Sequence, residues 1–125
     1  MIGLKESLLI HQLAIQKFGG IEEVRDMNLL ESAIQRPYAL FDQQELYPEP
    51  QDKAAAIIES IVKNHPFADG NKRTGYILMR LVLMENQVDI QASEDEKYEF
   101  VLKIAEGRLN FEEIKSWIEK RLIKK

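Results

Sequence analysis

The residues best equipped for chemistry stand together in one ten-residue run, His65-Pro66-Phe67-Ala68-Asp69-Gly70-Asn71-Lys72-Arg73-Thr74. An imidazole, whose ordinary pKa lies near neutrality, is suited to take a proton from a hydroxyl, so His65 is a candidate general base. Asp69 is a hard oxygen ligand suited to Mg²⁺, the usual companion of a polyphosphate. Gly70 permits positive φ and close approach of a ligand to the backbone. If Asn71 caps a helix, Lys72, Arg73 and Thr74 form its first turn, and two cations stand at the positive end of the helix dipole. That placement costs about 0.3–1 kcal/mol per charge unless an anion binds there, held by side chains and free backbone N–H groups together. Base, metal ligand and anion cradle add up to a nucleotide-dependent group-transfer site.

Two buried helices must hold this loop. Before it, Ala54, Ile57, Ile58, Ile61 and Val62 recur at helical spacing, with Asp52 as the expected cap, and the Asn64-His65-Pro66 step ends the helix. After it, Lys72 to Glu85 reads as a helix whose middle, Tyr76 to Met84, has Arg80 as its one charge, which predicts a central place in the bundle. Upstream, Leu4, Leu8, Ile15 and Phe18 mark an amphipathic helix closed by Gly19-Gly20. His11 lies on that helix and is read as structural, far from the loop. Asn28 and Glu31 suggest the start of a short helix that Pro37 stops. Downstream, Ser93 with Glu96 and Asn110 with Glu113 form two capping boxes. Gly107 ends the first of these helices. In the second, Ile114, Trp117, Ile118 and Leu122 are the expected buried side, and Lys120-Arg121 with Lys124-Lys125 suit a helix C-terminus. Between Pro37 and Gln51 no periodicity is visible. A connection of that length is either a binding loop or a packed surface loop in which Phe41 and Tyr47 cover the core.

The chain has 125 residues, 45% hydrophobic and 30% charged, which predicts one globular domain over residues 1–125. It has no cysteine and two histidines, so thiolate metal sites are excluded and zinc is poorly served. A net charge of -4 argues against direct nucleic-acid binding. With no secretory pattern and no apolar run long enough for a membrane span, the expectation is a cytoplasmic protein with no membrane contact. Neither a P-loop nor an EF-hand spacing occurs.

The central run resembles the core motif of the Fic/Doc superfamily (filamentation and death on curing), approximately H-x-F-x-[D/E]-G-N-[G/K]-R. His65, Phe67, Asp69, Gly70, Asn71 and Arg73 fall on it. Fic-type AMP transferases have a second glycine and a further arginine where this chain has Lys72 and Tyr76, and both departures point to the Doc branch. Gly19-Gly20, Leu30-Glu31-Ser32-Ala33, Arg36-Pro37, Leu46-Tyr47-Pro48 and Trp117 extend the resemblance along the chain. It implies an all-α, compact bundle of about six helices with a flap loop or small hairpin over the active site. It implies a toxin of a toxin-antitoxin system, a kinase that transfers the γ-phosphate of ATP, with Mg²⁺, to a Ser or Thr hydroxyl of a protein such as elongation factor Tu. In that picture His65, Asp69 and Arg73 are catalytic, Asp69 holds the metal, and Gly70, Asn71, Lys72, Arg73 and Thr74 bind the nucleotide. A self-inhibitory [S/T]-x-x-x-E-[G/N] helix is missing, since Leu102 stands four before Glu106, so control by a separate Phd-like antitoxin is expected. The alternatives are AMP transfer by the same site, and a Fic-fold module that binds without turnover.

Overall fold

The computed structural model describes residues 1–125 and contains six helices: α1 (Leu4–Phe18), α2 (Met27–Gln35), α3 (Pro50–Asn64), α4 (Asn71–Glu85), α5 (Glu94–Ala105) and α6 (Phe111–Glu119). Two small antiparallel pairs accompany them, β1 (Leu40–Phe41) with β2 (Gln44–Glu45), and β3 (Val88–Ile90) with β4 (Leu122–Lys124). The fold is therefore the mostly α-helical bundle that the sequence predicts. No helix is long and apolar enough to cross a membrane.

Helix starts follow local chemistry. Ser93 and Asn110 each accept the N–H of the third helical residue, and Glu96 and Glu113 return the bond to the cap, as the sequence predicts. Three starts fall further upstream or are capped differently. Asp26, not Asn28, caps α2 by accepting from Leu29 N–H. Helix α3 begins at Pro50, and Asp52 is its third residue, accepting from the N–H of Glu49. At α4 the cap is Gly70, and Asn71 is the first helical residue.

Helix α3 is the hub. Ala54 through Ile58, Ile61 and Val62 have no exposed surface, and the helix packs against α2, α4, α5 and α6. Helix α4 meets it with Leu78, Met79, Val82 and Leu83 but leaves Tyr76, Ile77, Arg80 and Leu81 partly exposed, so its apolar middle is less central than its composition predicts. The α3–α4 crossing is close because of Gly75: a Cβ there would lie 2.9 Å from Val62 Cγ2 and 3.3 Å from Ile61 Cγ2.

Two further expectations change. Ile114 and Ile118 are fully buried, whereas Trp117 is partly covered, stacked on Phe100 at 3.7 Å and capped by the Arg121 guanidinium. The basic tail is not a helix end, since α6 stops at Glu119 and Leu122–Lys124 pair with Val88–Ile90. Arg80 reaches from α4 to Asp89 of β3 through two bonds of 3.0 and 2.7 Å, which ties this small sheet to the bundle.

The stretch from Pro37 to Gln51 contains the β1–β2 hairpin, whose two turn residues, Asp42 and Gln43, have φ of 52° and 64°. Two consecutive positive φ values are the signature of a two-residue hairpin turn matched to strand twist. Phe41 is 73% exposed and covers no core, whereas Tyr47 packs against Phe111 and accepts from Arg36 Nε at 2.9 Å. Lys53 holds the base of the hairpin through Glu45 Oε1 at 2.7 Å and the Tyr47 carbonyl. The stretch is thus a pinned hairpin with an exposed apolar first strand, between the two alternatives the sequence left open.

Candidate active site

The loop from His65 to Gly70 is held from three sides. Pro66 removes the α conformation from the residue before it, and His65 ends α3 in the left-handed region at φ 52°, ψ 59°. A non-glycine residue there costs about 1–2 kcal/mol, so the surroundings must hold it. Arg25 does so, with Nε to the His65 carbonyl at 2.7 Å and Nη2 to the Asn64 carbonyl at 2.8 Å. The segment around Val24 runs antiparallel to the loop: the Pro66 carbonyl accepts from Arg25 and Asp26, and Ala68 N–H donates to the Glu23 carbonyl. From the third side Asn71 closes the loop on itself, accepting from Phe67 N–H at 3.0 Å and donating to the Phe67 carbonyl at 2.9 Å.

His65 is exposed, and its Nδ1 lies 3.1 Å from the Lys63 carbonyl. A carbonyl can only accept, so Nδ1 carries a proton, and in the neutral ring the lone pair is on Nε2. That tautomer is the one a general base needs.

Asp69 is oriented by three bonds. Its Oδ1 accepts from Gly70 N–H at 3.0 Å, its Oδ2 from Ile21 N–H at 3.3 Å, and its main-chain carbonyl from His11 Nε2 at 2.8 Å. Gly20 makes room for this, since a Cβ there would lie 2.8 Å from Asp69 Oδ2. Each carboxylate oxygen has a single donor and the residue is exposed, so lone pairs remain for a cation. Mg²⁺ is commonly held by one or two carboxylates with waters and phosphate oxygens completing the octahedron, and this residue fits that use.

At the start of α4, Gly70 has φ 76° and no side chain to offer, and Thr74 N–H to the Gly70 carbonyl is the first bond of the helix. The N–H groups of Asn71, Lys72 and Arg73 therefore face no partner within the chain. Lys72 and Arg73 are exposed, and the Arg73 guanidinium lies 3.6 Å from the ring centroid of Phe18. Uncapped N–H groups, a helix dipole and two cations at one point are complementary to an anion. Asn71 adds chiefly its N–H, because its side chain is buried, with Oδ1 and one hydrogen of Nδ2 engaged by Phe67. Thr74 is not brought to this mouth: it is 0% exposed, its hydroxyl has no hydrogen-bond partner, and the fourth position of the helix turns into the core. Tyr76 is half-buried, and burial foremost pushes its hydroxyl up to about 12, so it adds no charge at neutral pH.

Helix α1 supplies what the sequence reading missed. His11 is 2% exposed and stacks on Phe67, itself 1% exposed, at 3.8 Å and 7°. The signal was present, because His11 stands between Leu8 and Ile15 in the stripe Leu4, Leu8, Ile15, Phe18, at an inward position. Arg25 and the Ile21 N–H had no comparable signal, for their partners depend on tertiary approach alone.

Comparison with known proteins points the same way. Residues 2–83 match the sequence profile of the Fic/DOC family. A curated relative, Toxin Doc of Mycolicibacterium smegmatis, is 42% identical over 78 residues, which are 62% of this chain and 60% of the relative. The chain thus spans about 60% of the length of that relative. The family match runs from α1 into α4 and contains every residue of the site.

Proposed function

We propose, because this chain belongs to the Fic/DOC family, that it acts as a Doc-like toxin, a kinase that transfers the γ-phosphate of ATP to a Ser or Thr hydroxyl of a protein. The observation that carries this reading is the uncapped, cationic start of α4 beside the oriented Asp69 carboxylate. Three N–H groups with Lys72 and Arg73 stabilise phosphate oxygens, and the charge that develops on them in an in-line transfer. Lys72 fills with a charged side chain the space that a glycine would leave for a diphosphate against the backbone. That favours a nucleotide presenting its terminal phosphate, and with neutral Tyr76 it counts against AMP transfer. Asp69 holds Mg²⁺, which when bound neutralises charge on the phosphates. His65 Nε2 takes the hydroxyl proton as the oxygen bonds to the γ-phosphorus; the bond from that phosphorus to the bridging oxygen breaks, and ADP leaves.

The exposed first strand of the hairpin, with Leu40 and Phe41, offers main-chain groups and side-chain contacts to an extended segment of the target. The family resemblance suggests elongation factor Tu as a target to try first and a Phd-like antitoxin as partner, and the relative's name, Toxin Doc, supports the toxin reading. Induced expression in a bacterium tests it. Wild-type protein should arrest growth, and His65→Ala, equally soluble and folded, should not. Arrest by His65→Ala at equal expression would remove His65 as the base.

A further inference from the structure

We infer that His11 is a positioning residue of the active site: its Nε2–H fixes the Asp69–Gly70 peptide, and through it the Asp69 carboxylate. This rests on the reading of Asp69 as the residue that holds Mg²⁺.

The peptide between Asp69 and Gly70 is the one in the loop most free to rotate, because Gly70 at φ 76° has access to both signs of φ without a Cβ penalty. A planar trans peptide points its carbonyl and its N–H in opposite directions. With the Asp69 carbonyl drawn to His11 at 2.8 Å, the Gly70 N–H is turned away from α1 and donates to Asp69 Oδ1 at 3.0 Å. Were the peptide to flip, Oδ1 would lose its donor, and the carbonyl would turn towards the side where the carboxylate stands. Ile21 N–H at 3.3 Å would then be the remaining hold on the carboxylate.

His11 is itself built to hold its place. The ring lies flat on Phe67 and is enclosed, with Gly70 near enough that a Cβ there would be in van der Waals contact, 3.7 Å from both Cδ2 and Nε2 of the imidazole. A residue needed only to fill space beside Phe67 has no use for a nitrogen. A buried ring that also spends its one N–H on a loop carbonyl is a fixed donor, and partners of this kind behind a metal ligand are worth about 10–100-fold in metal affinity or activity.

Two substitutions separate ring from donor. His11→Phe keeps the stacked ring and deletes the N–H; His11→Gln keeps an N–H of similar reach and deletes the ring. Three readouts are taken on each: thermal unfolding, hydrogen exchange of the Gly70 amide by NMR, and γ-label transfer from ATP as a function of Mg²⁺ concentration. His11→Phe should stay folded, exchange its Gly70 amide faster, and lose about 10–100-fold in transfer or need correspondingly more Mg²⁺. His11→Gln should be the less stable variant yet regain most of the transfer per folded molecule. Transfer that follows stability in both variants, or His11→Phe with wild-type Mg²⁺ dependence, would overturn the assignment. If wild type transfers no label, the kinase reading fails, and Gly70 exchange still decides for His11: faster in His11→Phe alone supports the lock, and equal rates in wild type and His11→Phe refute it.

Discussion

His11 and His65 carry protons on different ring nitrogens, and in each case a backbone carbonyl makes the choice. The Lys63 carbonyl accepts from Nδ1–H of His65, so that Nε2 is the nitrogen turned from it; the Asp69 carbonyl accepts from Nε2–H of His11 and makes that ring a buried donor. The place of His65 at the end of α3 could be read from the sequence, because Pro66 stops the helix there. The inward position of His11 could be read as well, but not its bond to the Asp69 carbonyl, whose residue is 58 positions away. Asn71 was legible as important but not in its role. Capping preference assigns Asn to the N-cap, whereas here it sits one position inside and bonds both ways to Phe67. Phe18 braces the cationic start of α4. It is 51% exposed yet lies under the Arg73 guanidinium, a contact worth about 0.5–1 kcal/mol at an exposed site. Phe18→Ala should therefore raise the KM for ATP about 2–5-fold, with Phe18→Tyr near wild type. An unchanged KM in Phe18→Ala would show that Arg73 needs no platform.

Helices α3 and α4 meet at an angle and distance that Gly75 permits, and this crossing fixes where His65 ends one helix and Asn71 begins the next. Ala at position 75 gains about 1 kcal/mol in helix propensity, but its methyl group would press on Val62 from 2.9 Å, and overpacking of a close core costs about 1–3 kcal/mol. The net expectation is a lower unfolding midpoint for Gly75→Ala, partly restored by Val62→Ala in the same chain. A higher midpoint in the single variant would mean that the crossing can relax. Elements with caps and a 3.6-residue stripe were legible, and α5 and α6 begin where their capping boxes predict. The β3–β4 pair was not, because strands of three residues carry too little alternation to register, and their pairing partner lies across α5 and α6. The hairpin was implied only by the family resemblance and not by its own residues, because its turn is Asp-Gln, where the usual signal is Asn-Gly or Asp-Gly.

Across the whole molecule the division of labour follows the chain. Residues 2–83, the span of the family match, contain the site, and the rest closes the bundle behind it with α5, α6 and the β3–β4 sheet. The Arg80–Asp89 pair joins the two parts, and its hydrogen bonds hold the Asp89 carboxyl below its usual range against the opposing effect of burial. A carboxyl that is more acidic folded than unfolded contributes stability that is full above the unfolded pKa, near 3.8, and is lost as pH falls through the folded one. Urea midpoints should thus fall for wild type between about pH 4 and more acidic values, and Asp89→Asn, weaker at neutral pH, should show a shallower fall. Parallel slopes would exclude Asp89 as a source of the acid sensitivity. Bundle class and the place of the loop were legible at this scale because composition and motif both bear on them. What packs around α3 was not, since that depends on contacts between distant segments.

Receipt by Lys72 and its neighbours of a nucleotide that gives up its terminal phosphate is the step on which the proposed kinase activity turns. It is tested most directly by incubating the protein with Mg²⁺, a bacterial lysate and ATP labelled at either the α- or the γ-phosphorus. Label entering a protein band from the γ position alone is the predicted result, and label entering from the α position would contradict it.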